Sequence, residues 1–427
     1  MKGYYLYRKH PIAIRLEKRI SRIIKSLASS NYDTSSLYRA QEKLLSELLK
    51  IEDGIRLARE EFAETRRRAD LFAQSFSIRG DEIPEKQKKK INLLHQNAKF
   101  MGISIELLRY GRWLVRYVAD GIAWRAYRYD RMVIWALGRN RPVPFLSGKL
   151  GFSKELEIFR GVKKKGKEWL PILNDLTNCL RTFDVSVFFR GILVSLEEIK
   201  TTPFTLEDGV SLKGRLARQN DRMERFYKFQ ETKNLSDLDS AMAGQYIRSK
   251  VREEYHFDAI SEAICEAREH GYGFQMPEKG LLFLTWQYSK PLEDVAMLNA
   301  RDRYPFMFQT LVTFRSISPR FEEYHDSLPI TAMDIPADDI IDLLFGEIAL
   351  LVIINFEVFT EQCNSYGLPL QHPIITEDSI TWKVSAPYEG LIQNRLFNRV
   401  MLEGLSIKSF CDLIKIGCEE TIKIANA

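Results

Sequence analysis

Three charged residues, Asp184, Glu198 and Lys200, stand at the ends of two short segments with strand composition. The segments 183–189 and 192–199 alternate β-branched and aromatic residues, and an Arg-Gly pair between them suits a tight turn. If the turn pairs the segments as a hairpin, the start of the first lies beside the end of the second. Asp184 then lies next to Glu198 and Lys200.

The chemistry of this arrangement follows from strand geometry. Side chains alternate between the two faces of a strand, so Glu198 and Lys200 share one face while Glu197 points to the other. Two adjacent carboxylates repel each other unless a cation lies between them. Mg²⁺, for which Mn²⁺ can substitute, prefers oxygen ligands and can polarise a phosphoryl oxygen. The pattern predicts metal-dependent phosphodiester cleavage, with Asp184 and Glu198 as metal ligands and Lys200 stabilising charge.

The spacing of these residues resembles a known nuclease motif. Asp184, followed after thirteen residues by Glu198-Ile199-Lys200, is similar to the core motif of the PD-(D/E)XK nuclease superfamily. The resemblance implies a restriction-endonuclease-like αβββαβ core, running from the helix around Asp120 to the strand at 281–289. It also implies that Asp184, Glu198 and Lys200 are catalytic and that the substrate is DNA.

The resemblance implies further site residues on the helices around the sheet. In this superfamily the helix before the sheet often adds an acid, which makes Asp120 a metal ligand, with Asp130 as the alternative. The helix after the lysine commonly carries a glutamine or a basic residue, which makes Gln219 catalytic. That helix also carries four arginines three or four residues apart, Arg215, Arg218, Arg222 and Arg225, and the first three are the expected nucleic-acid contacts. Beside a metal site such a stripe binds a nucleic-acid backbone; alone it is a solvated face.

Two local patterns leave alternatives open. The charged ends of the hairpin can also form an ordinary surface ion pair, without a metal. The polar run before the first strand either binds metal or backbone at the site or caps a turn. Its members are Asn174, Asp175, Thr177 and Asn178.

A second acid-x-Lys triplet, at 231–233, lies in polar, helical-looking sequence and lacks the strand context.

The chain as a whole predicts an α+β protein of three parts. We expect a helical, coiled-coil-like arm at 1–110, the nuclease core at 111–290 and an α+β accessory domain at 291–427. The arm carries an apolar seam with spacings of four and three: Leu44, Leu48, Ile51, Ile55, Ala58 and Phe62. The seam either mediates self-association or partner binding, or packs against the neighbouring helix at 12–29. In the last part we expect one long helix over 339–366, a hairpin turning at 377–378 and two helices divided near Gly404.

Composition bounds the class of protein. The 427 residues are 45% apolar and 28% charged with a net charge of +6, which is ordinary for a soluble protein and permits a nucleic-acid partner. Five scattered cysteines without a CxxC pair indicate a reduced, cytoplasmic protein without a zinc site. The longest apolar run, 340–356, contains Asp342 and Glu347, which favours a buried helix over a membrane span.

These observations lead to one functional hypothesis and two competitors. We expect a cytoplasmic, Mg²⁺-dependent nuclease, a homo-oligomer without a membrane partner, acting in restriction or phage defence by analogy with the superfamily. Because the chain has no phosphate-binding glycine loop, any ATP requirement would come from a separate ATPase or sensor partner. One competitor is a HEPN-like ribonuclease that uses Arg320 and His325 of the segment RFEEYH. The other is a non-catalytic scaffold or nucleic-acid-binding protein with a coiled-coil arm.

Overall fold

A computed structural model combines helices with small antiparallel sheets, which confirms the predicted α+β class. It describes residues 10–77, 84–138, 145–199, 221, 224–229, 231–232, 234–238, 253–288, 292–310, 312–317, 327–371, 373–375, 380–388, 390–392 and 394–425. Within these ranges no helix has the length and apolarity that crossing a membrane requires.

The described residues fall into two units. One unit takes them from Met1–Arg128 and Leu137–Thr201, and the other from Tyr129–Ala136, Thr202–Pro319 and Tyr324–Ala427. The helices of the first unit are α1 (Pro11–Ser29), α2 (Thr34–Ser77), α3 (Glu85–Ala126) and α5 (Phe152–Lys164). The short helix α4 (Arg131–Gly138) lies between α3 and α5 in the chain. The predicted boundary between arm and core, at residues 110 and 111, therefore lies inside α3.

Helices α2 and α3 form a long antiparallel hairpin. Gly54 faces Leu108 and Gly102 faces Phe62, so the residue number falls along one helix as it rises along the other. Along the apolar seam of α2, Leu44, Leu48 and Ile55 are fully buried, and α1, α3 and β1 all pack against this helix. This part of the seam is therefore buried within the chain. Self-association of the arm stays a prediction.

The sheet of the first unit has three antiparallel strands in the order β1 (Trp169–Leu173), β2 (Val185–Phe189) and β3 (Ile192–Glu197). The predicted hairpin is present: Phe189 pairs with Ile192 across a two-residue turn whose residues both have positive φ, 52° and 72°. The register shifts in mid-hairpin, where Val187 pairs with Ser195 and the next residue pairs with Leu193.

The second unit is built on a four-stranded antiparallel sheet of order β4-β5-β7-β6. Its earlier elements are α6 (Leu235–Leu238), α7 (Phe257–His270), β4 (Tyr272–Glu278), β5 (Leu281–Gln287), α8 (Glu293–Arg303) and β6 (Val312–Ile317). Helix α7 ends at Gly271, whose φ of 90° is the left-handed conformation that favours glycine. Strand β5 thus belongs to a different sheet from Asp184, although the nuclease resemblance expects it in the same core.

The expectation of one long helix over 339–366 is wrong. The structure has helix α9 (Ala337–Phe345), strand β7 (Ile348–Asn355) and helix α10 (Phe356–Ser365). Gly346, with a φ of 68°, ends the first helix. Strand β7 lies between two neighbours and is buried along its whole length, so it reads as a continuous apolar run rather than an alternating one.

The remaining elements follow the prediction more closely. Strands β8 (Ile374–Ile375) and β9 (Ile380–Val384) pair as an antiparallel hairpin, and β10 (Gly390–Ile392) adds a third strand. The expected turn at 377–378 lies outside the described residues. Helices α11 (Asn394–Glu403) and α12 (Ile407–Ala425) lie on either side of Gly404, as predicted.

Candidate metal centre

Three carboxylates of the first unit converge on one point. Glu155, Asp175 and Asp184 each offer an oxygen, and these oxygens all lie within 4.8 Å of one another. Glu155 stands in the first turn of α5, Asp175 in a 3-10 turn directly after β1, and Asp184 directly before β2. Among the residues that the structure describes, this is the one acidic group with the spacing that a metal ion requires.

The convergence follows from the antiparallel pairing of β1 with β2. The pairing brings the end of one strand beside the start of the other, and the Asn174 N–H donates to the Asp184 carbonyl over 2.9 Å. Asp175 and Asp184 therefore lie side by side although nine positions separate them in the chain. Helix α5 packs against β1, and this packing places Glu155 beside Asp175 and Asp184.

An ammonium group lies among the three carboxylates. Lys149 Nζ is 2.6 Å from Glu155 Oε1, 2.5 Å from Asp175 Oδ2 and 3.0 Å from Asp184 Oδ1. The lysine stands in the loop 145–151, and its side chain is 24% exposed. Burial alone would lower the pKa of Lys149, but the charges of Asp175 and Asp184 raise it above its ordinary value. The ammonium is therefore charged at neutral pH.

Glu155 has a strongly raised pKa. Burial, together with the charges of Asp184 and Asp175, raises its pKa to about 7, although the hydrogen bond from Lys149 opposes the rise. Its residue surface is 2% exposed, and its Oε2 atom has no hydrogen-bond partner among the described residues. A buried carboxylate oxygen without a partner is costly. Binding of a cation would give this oxygen a partner, and carboxylate oxygens are the donors that Mg²⁺ and Mn²⁺ prefer.

The end of the β2–β3 hairpin adjoins this group. The Asp184 N–H donates to the Glu197 carbonyl over 2.9 Å, and Asp184 Oδ2 accepts from the Ile199 N–H over 2.7 Å. The predicted neighbourhood of Asp184 with the end of the second strand is therefore present. Strand β3 ends at Glu197, so Glu198 lies past the strand and is half-buried. Lys200 lies outside the described residues.

A second layer of buried charge fixes the loop that carries Lys149. Glu52, which is fully buried in α2, accepts from the Leu146 N–H over 2.6 Å and from the Ser147 N–H over 2.9 Å. It also pairs with Arg112 at 2.8 Å and with Arg116 at 3.3 Å.

Arg116 extends this layer to the acidic group itself. Its guanidinium also donates to the Asp175 carbonyl, so the buried pair with Glu52 reaches the 3-10 turn. Burial, with the neighbouring charge of Arg112, lowers the pKa of Arg116 to about 9. One buried ion-pair network therefore holds both the loop and the turn.

Asp120 belongs to a different contact set. It is buried near the C-terminal end of α3, and its carboxylate accepts from the Asn178 N–H at 2.5 Å, the Cys179 N–H at 2.9 Å and the Asn178 side-chain amide at 3.0 Å. Burial raises its pKa. Asp120 therefore fixes the loop after the 3-10 turn, and it is not among the three carboxylates that converge. Asp130 accepts from the Val133 N–H at the start of α4.

The polar run before β2, at 174–178, was expected either to bind metal or backbone at the site or to cap a turn, and its members divide between these two roles. Asp175 joins the acidic group, while the other members hold the local backbone. Asn174 donates to the Thr182 carbonyl and accepts from the Ser186 hydroxyl, and the Thr177 hydroxyl donates to the Asn174 carbonyl. Several predicted site residues lie outside the described ranges: Gln219, Arg215, Arg218, Arg222, Arg320 and His325.

Sequence reasoning missed Lys149 and Glu155. One signal for Glu155 was available, because it is an acid on the helix directly before β1. The prediction assigned this acid to Asp120, on the longer helix α3 upstream. Lys149 has no local signal, since only folding brings it to the acids.

Comparisons with protein-family models, with curated proteins and with solved structures find no match for this chain.

Proposed function

We propose that this protein is a metal-dependent nuclease that hydrolyses phosphodiester bonds in DNA. The observation that carries the proposal is the convergence of Glu155, Asp175 and Asp184, from a helix, a turn and a strand start, beside the end of a hairpin. We assign these three carboxylates as ligands of Mg²⁺, for which Mn²⁺ substitutes. A divalent ion held there polarises a phosphoryl oxygen and lowers the pKa of bound water.

The hairpin gives the proposal its second part. The Glu198-Ile199-Lys200 triplet has its middle residue tied to Asp184, because the Ile199 N–H donates to the Asp184 carboxylate. The peptide between Glu198 and Ile199 is therefore anchored at the acidic group. We retain Glu198 as a further ligand and Lys200 as the ammonium that stabilises charge on the phosphate.

An ordinary structural ion pair explains the acidic group less well. Such a pair matches one cation with one carboxylate, whereas here three carboxylates share the ammonium of Lys149. Excess buried negative charge is destabilising unless a further cation offsets it. Burial, together with the charges of Asp184 and Asp175, raises the pKa of Glu155, and its Oε2 atom has no hydrogen-bond partner among the described residues; both features fit such an excess. A second positive charge at this point relieves it.

DNA as substrate rests on the resemblance to the PD-(D/E)XK superfamily. Arg215, Arg218 and Arg222 remain the proposed backbone contacts, and Gln219 remains a proposed catalytic residue. A role in restriction or phage defence, in a cytoplasmic homo-oligomer with a separate ATPase or sensor partner, is the biological setting that this class of enzyme suggests.

A plasmid and an RNA transcript, each incubated with purified protein in Mg²⁺ or in EDTA, test the proposal. We expect Mg²⁺-dependent cleavage of the plasmid and none in EDTA. Asp184→Asn should slow cleavage on the order of a thousandfold, which corresponds to about 4 kcal/mol of barrier. Glu157→Gln is the matched control, because Glu157 lies on α5 near Glu155 but is 73% exposed, and its one ion pair among the described residues is with Lys154.

Two results would contradict the proposal. One is the absence of metal-dependent cleavage of either nucleic acid. The other is cleavage that Asp184→Asn leaves at the rate of the Glu157→Gln control, which would place the active site elsewhere in the chain.

A further inference from the structure

Lys149 occupies the place that the proposed function gives to a metal ion. We infer that Lys149 is a built-in counter-ion, which holds the three carboxylates together in the metal-free protein and withdraws when a divalent ion binds. This inference rests on the proposed metal site and names its regulation: metal loading exchanges one cation for another and releases the lysine side chain.

The distances make the two cations mutually exclusive. Lys149 Nζ contacts an oxygen of each of Glu155, Asp175 and Asp184 at 2.5–3.0 Å. An ion bound by the same oxygens lies at about 2.0–2.6 Å from each, with Mg²⁺ at the short end. Both cations would therefore fall within the same gap between three oxygens that lie within 4.8 Å of one another. Two like charges so close together repel strongly.

The charges favour the exchange. One ammonium offers a single positive charge to the three carboxylates that it contacts, and it leaves Glu155 Oε2 without a partner among the described residues. A divalent ion brings twice the charge and more coordination positions. A divalent ion therefore matches the three carboxylates better than the ammonium does.

The loop around Lys149 allows the side chain to leave without disturbing the site. Leu146 and Ser147 are anchored by Glu52, but the residues that follow are loosely packed. A Cβ placed at Gly148 would meet no described atom within 4 Å, and Leu150 is 89% exposed. Lysine carries its charge on a flexible four-carbon stem, so rotation of the stem alone can move the ammonium into solvent.

Calorimetric titration with Mn²⁺ tests the exchange. Lys149→Gln removes the competing charge, so we expect Mn²⁺ to bind at least about tenfold more tightly than to the parent protein, which is about 1.4 kcal/mol. Lys154→Gln should stay within about twofold, because Lys154 is 57% exposed and, within the described part of the chain, forms an ion pair with Glu157 alone. Unchanged or weaker binding to a folded Lys149→Gln protein would overturn the inference.

A measurement on the unmodified chain removes the dependence on a variant that folds. Acylation of lysine amines, read by mass spectrometry with and without Mn²⁺, reports the accessibility of Lys149, with Lys154 as internal reference. We expect Mn²⁺ to increase labelling of Lys149 several-fold relative to Lys154. Binding of Mn²⁺ with unchanged Lys149 labelling would refute the exchange while leaving the metal site intact. No Mn²⁺ binding by any of the proteins would refute the metal site, and the exchange with it.

Discussion

Replacing Glu52 by alanine should loosen the candidate site from a distance. Glu52 accepts two backbone N–H groups of the 145–151 loop and pairs with Arg112 and Arg116. Arg116 is 1% exposed, so its charge would stay buried without its carboxylate. Removing one partner of a buried ion pair typically costs about 3–5 kcal/mol. The two loop N–H groups would also lose a charged acceptor, at about 1.5–3 kcal/mol for each hydrogen bond.

Hydrogen exchange followed by mass spectrometry measures both effects in the folded protein. In Glu52→Ala the amides of Leu146 and Ser147 should exchange roughly 10–100-fold faster, since each 1.4 kcal/mol corresponds to about tenfold. Protection of the α2–α3 hairpin near Arg116 should also fall. Glu60→Ala is the control, because Glu60 is an exposed residue of the same helix whose one ion pair in the described ranges is with Arg56. If loop exchange in Glu52→Ala stays within about threefold of that control, Glu52 does not hold the loop.

Three further perturbations separate the roles of other acids. Asp120→Asn should lower thermal stability, because three N–H donors lose a charged acceptor. The same substitution should leave Mn²⁺ affinity within about threefold of the parent. A loss of affinity as large as that of Asp184→Asn would make Asp120 a ligand. Burial alone would raise the pKa of Glu278, but its hydrogen bonds lower the pKa below the ordinary value. The ionised carboxylate therefore stabilises the folded protein above about pH 4, and this contribution is lost as the pH falls further. Urea unfolding should therefore show a cost of about 1–3 kcal/mol for Glu278→Gln at pH 7 that shrinks towards pH 3, and a cost independent of pH would refute the assignment. Glu198→Ala should abolish metal-dependent plasmid nicking whereas Glu197→Ala stays within about tenfold of the parent; equal losses would refute the assignment of Glu198.

The parts of the fold that local sequence determines were predictable. The hairpin of β2 and β3 follows from alternating residues around an Arg-Gly turn, and Gly271 and Gly404 mark helix ends. The run 340–356 was misjudged because a strand buried on both faces has no alternation to distinguish it from a helix. The central position of β7 depends on its neighbours, which local sequence does not reveal.

The candidate site was predictable only in part. Asp184 and the end of β3 could be placed together because one short turn joins their strands. Glu155 and Lys149 reach the same point through the packing of α5 on β1 and through the anchoring of a loop by Glu52, a residue nearly a hundred positions earlier. Such convergence depends on long-range contacts, and no motif spacing encodes it.

Anomalous diffraction from a crystal soaked in Mn²⁺ tests the central claim most directly. The account predicts one strong peak at roughly 2.0–2.6 Å from carboxylate oxygens of Glu155, Asp175 and Asp184, with Lys149 Nζ displaced from them. A fully soaked crystal with no peak at these three carboxylates, and with Lys149 still bound to them, would contradict it.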